Sequence, residues 1–460
     1  MSHPSKKSRT HRRHLARLST ATPDDYLDAF VSLFPPRVIQ RIARESGFVR
    51  RYRKLDPVAF LYTLAFETGP QLQRTVEALR HAYNRRAPDP ILSMGGFHDR
   101  FTPELVEFLR QCVAYGLAQL RTSPGNRLTP KLARFTDLLI QDSTIIRLFA
   151  ALAKFYPPAR LSKNTKSKRT AGVKIATLFS ARANGPTRLE LTGERTPEVD
   201  TLKIGPWVKD AVLLADLGFY QHRGFARIEE NGGFFLSRVK KNANPLLVGS
   251  HLVHRGRAID LEGKRWSEVA PRLHREVLDA EVELSFQRRA YRGTRRGDTL
   301  RARLVAVWDE ESREYHAYVT NLPVEVLSAE EVAELYRVRW SVELLFKEAK
   351  GSFHLDRVAT GNRHVAESLI WASWLALLVS RRGHNVLLEH LPPEERFRFP
   401  PLRWSRMFRE ESREFLPYVL RRVKRRKVIP DPIDELLGRL EVRVRDPNIS
   451  RERFRQGWFG

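Results

Sequence analysis

LLIQDSTIIRL, Leu138 to Leu148, is an apolar run with one carboxylate at its centre. Aliphatic and β-branched residues in such a run form a strand that is buried on at least one face. Asp142 interrupts it, and a charged carboxylate is costly to bury unless a cation or a metal pairs with it. VLLADLGFY, Val212 to Tyr220, repeats the pattern with Asp216. An aspartate at a strand end also caps the following loop, so for either residue alone capping and metal ligation both remain open. Asp137 lies five residues before Asp142. At a period of two it points to the opposite face and begins the strand.

Working outward, VKIATLFSA (173–181), TRLELTGE (187–194) and GFFLSRVKK (233–241) are further strand-like runs, with one helix expected around Leu202 to Asp210. Three strands, a crossover helix and more strands predict a mixed α/β sheet. EVELSFQRRAYR, LRARLVAVWD and REYHAYVTNL, between 242 and 321, predict a β-rich insertion. On the N-terminal side, from Pro23 to about Leu120, the spacing is helical, and Asp56-Pro57 and Thr102-Pro103 mark helix starts. Residues 75–109 fit either a helix-turn-helix-like unit or a plain bundle. RTSPGNRLTP (121–130) has loop composition and marks the boundary. The expected organisation is a flexible basic arm over 1–22, an all-helical DNA-binding domain over 23–130, and an α/β domain over 131–241 and 322–396 around the insertion at 242–321. A basic C-terminal region follows over 397–460.

The 460-residue chain carries a formal charge of +28, which predicts a polyanionic partner, nucleic acid before all others. Cys112 is the only cysteine, which excludes an intramolecular disulfide and a cysteine-built zinc site and fits a reducing cytosol. SLIWASWLALLV (368–379) is too short to span a bilayer, which takes about 20 residues, and reads as a buried core helix. No apolar run follows the basic N-terminus, so no signal peptide is expected. RRVKRRKVIP (421–430) reads as a solvated face or tail before a dedicated binding site.

YRVRWSVELLFKEAKG, Tyr336 to Gly351, predicts one helix. At about 100° per residue from Tyr336, the side chains of Arg339, Lys350, Glu343 and Lys347 fall near 300°, 320°, 340° and 20°. Leu335, Val338, Val342, Leu345, Phe346 and Ala349 fill the neighbouring arc and would pack on the sheet, while Arg337, Trp340 and Leu344 face away. The polar stripe thus borders the core. Two strand acids and one helix acid suit a pair of Mg²⁺ ions, whose preferred ligands are oxygens and which activate a nucleophile in phosphoryl transfer. Arg339, Lys347 and Lys350 would hold phosphates and Tyr336 would hydrogen-bond one.

Tyr336, Arg339, Glu343 and Lys350, at intervals of two, three and six residues, resemble the signature of the insertion-sequence-four family of bacterial DDE transposases. QDST at Asp142 and LLADLGFY at Asp216 look like that family's two acidic strands. The resemblance implies an RNase H-like fold interrupted by the β-rich insertion, and a metal-binding catalytic triad of Asp142, Asp216 and Glu343. It implies two Mg²⁺ ions, replaceable by Mn²⁺, with Tyr336, Arg339, Lys347 and Lys350 on DNA. Cut-and-paste transposition would follow: hydrolysis at inverted-repeat ends, strand transfer into target DNA, and a homodimer holding two ends, in a prokaryotic cytoplasm at the nucleoid and with no membrane partner. Trp266 and Trp308 are candidates for an aromatic that stabilises a flipped base. An inactive transposase-derived DNA-binding protein and an RNase H-like nuclease or resolvase are the alternatives.

Overall fold

Proline opens four of the first six helices, α1 (Pro23–Leu33), α2 (Pro36–Glu45), α3 (Pro57–Glu67) and α6 (Pro103–Thr122), where its fixed φ suits the first turn. Thr22 and Asp25 close a reciprocal cap on α1, and Thr75 and Ser93 cap α4 (Val76–Arg86) and α5 (Met94–His98). The computed structural model describes residues 17–51, 55–67, 75–87, 91–122, 125–159, 170–251, 253–254, 257–291, 294–426, 430–448 and 458–459. Most of the expected basic arm, residues 1–16, lies outside them. Arg17 to Thr22 do not behave as an arm: Arg17 bonds Asp434 at 2.7 Å, and the buried Glu441 accepts from the Leu18 and Ser19 amides at 2.8 and 3.1 Å.

The sheet begins with β1 (Leu138–Arg147), β2 (Gly172–Ser180), β3 (Gly185–Gly193), β4 (Val212–Ala215) and β5 (Phe234–Arg238), all five at the expected runs. Their order is β3-β2-β1-β4-β5, with β1, β4 and β5 parallel and β2 and β3 antiparallel, the RNase H-like mixed sheet. The expected helix at Leu202 to Asp210 is instead a short α7 (Glu198–Thr201) followed by a 3₁₀ turn at Pro206–Val208. Pro206 after Gly205 breaks any longer helix there. The full helix is α8 (His222–Glu230), between β4 and β5, burying Phe225, Ala226 and Ile228.

After β5 come β6 (Leu246–Ser250), the two-residue pair β7 (Val253–His254) and β8 (Arg257–Ala258), α9 (Trp266–Val269), and the long β9 (Val277–Tyr291), β10 (Thr294–Asp309) and β11 (Glu314–Thr320). β11 pairs antiparallel with β5, so most of the insertion extends the same sheet to nine strands instead of folding as a separate body. Alternate residues divide that sheet into two cores. Leu138, Ile140, Val212, Leu214 and Leu236 face the helical side, whereas Leu139, Leu213, Ala215 and Phe235 join Phe225 of α8 and the apolar face of β9 and β10.

The chain then returns through α10 (Ala329–Tyr336), a 3₁₀ turn at Arg337–Arg339, α11 (Trp340–Gly351), α12 (Arg363–Glu389), α13 (Pro401–Val423) and α14 (Pro430–Val444). All of Ser368 to Val379 is buried within α12, as expected of a core helix, and α12 packs on α1, α3 and α6. Residues 397–460 are therefore not just a basic appendage: α13 covers α3 and α1, and Arg422 of the basic run pairs with Asp28 at 2.7 Å. Among the described residues no helix is long and apolar enough to cross a membrane.

Interior charges are matched. Arg303 on β10 lies against Asp279 on β9, at 2.8 Å through Nε, and donates to the Leu327 carbonyl at 2.8 Å just before α10. Both side chains are under a tenth exposed. Removing one member of a buried pair leaves an uncompensated charge, at a cost of about 3–5 kcal/mol. Arg303→Met is therefore expected to lower the thermal unfolding midpoint by several degrees, with partial recovery in Arg303→Met/Asp279→Leu; equal midpoints for parent and single variant would contradict this account.

Candidate active site

The register of two parallel strands sets the site. Gln141 of β1 stands opposite Ala215 of β4, so Asp142 and Asp216 each follow the last paired residue. Both are at even positions, the parity of Ile140 and Leu214, and therefore emerge on the face covered by the helical side. α11 lies against β1 on that face and brings Glu343. All three carboxylates meet the Arg339 guanidinium, at 3.9 Å from Asp142, 3.7 Å from Asp216 and 2.7 Å from Glu343. Burial opposes the Arg339 charge, but Glu343 and Asp216 hold its proton affinity above the ordinary value.

Asp142 is held in place by the Ser143 amide at 2.7 Å. Burial above all, with the negative charges of Asp216 and Glu198, holds its carboxyl up at about 7 against the opposing Ser143 amide and Arg339. Close acids on a half-buried edge thus compete for one cation. Among the described residues no three acidic, His or Cys side chains close tightly enough to hold a metal ion, since Arg339 stands between the carboxylates. The donor chemistry nonetheless fits a divalent cation: all donors are carboxylate oxygens, and their shared need for positive charge is what Arg339 meets here.

The turn at Arg337–Arg339 divides the expected single helix, and it separates the polar stripe. Tyr336 is buried and donates its hydroxyl to the Ala215 carbonyl at 3.2 Å, which fastens the end of β4. Burial pushes that phenol up to about 12. Lys350 reaches the Ile145 carbonyl at 3.4 Å, and Lys347 is exposed, its ammonium 5.0 Å from the Trp340 ring centroid. Glu343, Lys347 and Lys350 line a concavity of about 440 Å³ with Asp356 and Arg357. Neither Trp266 nor Trp308 borders it; Trp308 packs edge-on against Tyr315 at 5.0 Å.

Glu198 is a fourth acid at this edge that sequence reasoning missed. Its Oε1 accepts from the Ser143 hydroxyl at 2.8 Å, and its Oε2 lies 1.9 Å from where a Cβ on residue 218 would stand. A side chain at 218 would push this carboxylate aside, and Glu198 links the segments carrying Asp142 and Asp216. Nothing in TPEVD (196–200) signals this, because both contacts are long-range. Asp137, just before β1, serves structure instead, accepting from the Ser180 hydroxyl and the Arg182 amide at 2.5 and 3.1 Å.

A mixed sheet presenting three carboxylates on a strongly basic chain is an architecture for phosphoryl-transfer chemistry on nucleic acid. Residues 133–379 match the family described as the transposase DDE domain. The chain belongs to that family, enzymes that act on DNA and depend on divalent metal. It is similar to the transposase for insertion sequence element IS231F of Bacillus thuringiensis subsp. israelensis, with 23% identity over 75% of this chain and 76% of that protein. The transposase for IS1151 of Clostridium perfringens is 21% identical over 74% of this chain and 76% of its own length. A shorter match, 37% identical over 76 residues, is to the putative transposase InsL for IS186A of Escherichia coli (strain K12), covering 16% of this chain and 20% of that protein. A solved piggyBac transposase synaptic complex with hairpin DNA aligns over 95% of this chain and 89% of its own, with 10% identity and a TM-score of 0.44.

Arg339→Met removes the cation shared by the three acids. Without divalent metal its unfolding midpoint is expected to fall below the parent's. Added Mg²⁺ or Mn²⁺ is expected to raise the variant's midpoint more than the parent's, because no guanidinium competes for the carboxylates. A variant indifferent to both ions would contradict the electrostatic account.

Proposed function

We propose that this transposase moves its element by cut-and-paste transposition, hydrolysing DNA at the element's inverted-repeat ends and joining those ends to target DNA. Convergence of Asp142, Asp216 and Glu343 on one guanidinium is the observation that carries this reading. The three acids would hold two divalent ions, Mg²⁺ or Mn²⁺, which would supply activation of a water or a 3′-hydroxyl and stabilisation of the leaving oxygen.

The chain's own groups do the rest. Arg339 exchanges carboxylates for a phosphate when DNA arrives, because its fork suits either partner. Lys347 and Lys350 hold the strand along the concavity beside Glu343. Tyr336, seated on the Ala215 carbonyl, contributes by fixing the strand end that carries Asp216. Two copies of the chain bring two ends together as a homodimer, and the place of action is the bacterial cytoplasm, where the DNA is.

Glu343→Gln keeps the side chain's size and its capacity to accept from Arg339. Cleavage of a duplex carrying the element's end is expected to fall below detection in Mg²⁺ and in Mn²⁺, while affinity for that duplex stays within about twofold, a few tenths of a kcal/mol. Retained cleavage would overturn the site, and loss of binding would move Glu343 out of a purely catalytic role.

A further inference from the structure

We infer that the exposed face of α8 is a second contact for the DNA backbone, carrying the strand away from the three carboxylates and toward the insertion. The inference rests on the transposase function proposed above and adds a surface to it. Two concavities adjoin on α8. One, of about 270 Å³, is bordered by Lys203 and by Phe219 and Gln221, the latter two on the segment leading out of Asp216. The other, of about 250 Å³, is bordered by Phe286 and Arg288 on β9. Arg223 and Arg227 line both, so the two form one groove running from the loop after Asp216 to the insertion strands.

Arg223 and Arg227 are four residues apart on one helix face, where like charges repel and weaken the helix. Charged neighbours along the groove are mostly committed elsewhere: Lys203 to Glu190 at 2.8 Å, and Glu230 to Arg288 at 2.5 Å. Arg288 is also held by Asp298. Asp200 is exposed at the groove's edge. Among the described residues neither Arg223 nor Arg227 forms an ion pair or donates a side-chain hydrogen bond. Their platform is firm, because Phe225 stacks on Phe235 of the central sheet with ring centroids 4.5 Å apart. Two such guanidinium forks on a rigid helix, in a groove that begins at the loop following Asp216, match a phosphodiester backbone. Phe286 and Ala226 give the groove an apolar side, which suits the sugar edge of a strand.

The test uses the full chain and a duplex containing the element's terminal repeat with its flanking DNA, with affinity measured across a series of salt concentrations. Neutralising two phosphate contacts contributes roughly 1.8 to the slope of log K against log salt, so Arg223→Ala/Arg227→Ala is expected to flatten the slope by about that much. The same loss is expected in a background carrying Lys347→Ala and Lys350→Ala, because the two surfaces act separately. The double variant's unfolding midpoint is expected to equal or exceed the parent's, since it loses a repulsion. An unchanged slope in a folded variant overturns the α8 contact while leaving the transposase function standing. A parent that does not prefer the terminal duplex over unrelated DNA overturns both.

Discussion

The parallel pairing of β1 with β4, Gln141 opposite Ala215, is the constraint on which the site depends. Side chains alternate along a strand, so this register alone puts Asp142 and Asp216 side by side on one face, and a slip by one residue would move a carboxylate into the opposite core. Everything else reinforces it. Leu138, Ile140, Val212 and Leu214 bury the same face beneath the helices, Tyr336 fastens the Ala215 carbonyl, and Glu198 joins Ser143 to the turn at Gly218. Arg339 then offsets part of the negative charge that the register brings together, which helps three acids tolerate proximity on a half-buried edge.

Features written in local patterns were legible from the sequence. The first five strands announce themselves as aliphatic runs, and two acids inside such runs are conspicuous because burial penalises them. Helical arithmetic around Glu343 also held: Val338, Val342, Leu345 and Ala349 are buried, and Trp340 is exposed. Features created by distant pairing were not legible. HRGFARIEE is short, mostly polar and interrupted by Gly224, so α8 offers little apolar signal, yet packing of Phe225 against Phe235 makes it the helix between β4 and β5. The pairing of β11 with β5 depends on segments about 80 residues apart in the chain, so an insertion legible as β-rich gave no sign that it would lengthen the central sheet. Glu198 was invisible for the same reason.

The large positive charge needs a similar distinction. A count of basic residues suggests a surface given over to DNA, but many arginines serve the interior. Arg303 holds Asp279 and Arg413 holds the buried Glu67 at 2.9 Å, while Arg422 in the basic C-terminal run is tied to Asp28 at the surface. Arginine suits such work because its fork satisfies a carboxylate bidentately and is weakly hydrated. Apart from Arg339, which trades its carboxylates for a phosphate in the proposed function, the cations available to DNA are those not already held in ion pairs, a smaller set than composition implies.

The docking of Arg17 and the Leu18 and Ser19 amides onto Asp434 and Glu441 has a consequence for biosynthesis. These acceptors lie on α14, and α1 and α3 complete their packing against α12 and α13. Growing from its N-terminus, the nascent chain exposes the apolar flanks of its first helices until nearly all of it has left the ribosome. Assembly of the helical body is thus a late event, and a product ending before α14 would lack the acidic latch that closes it.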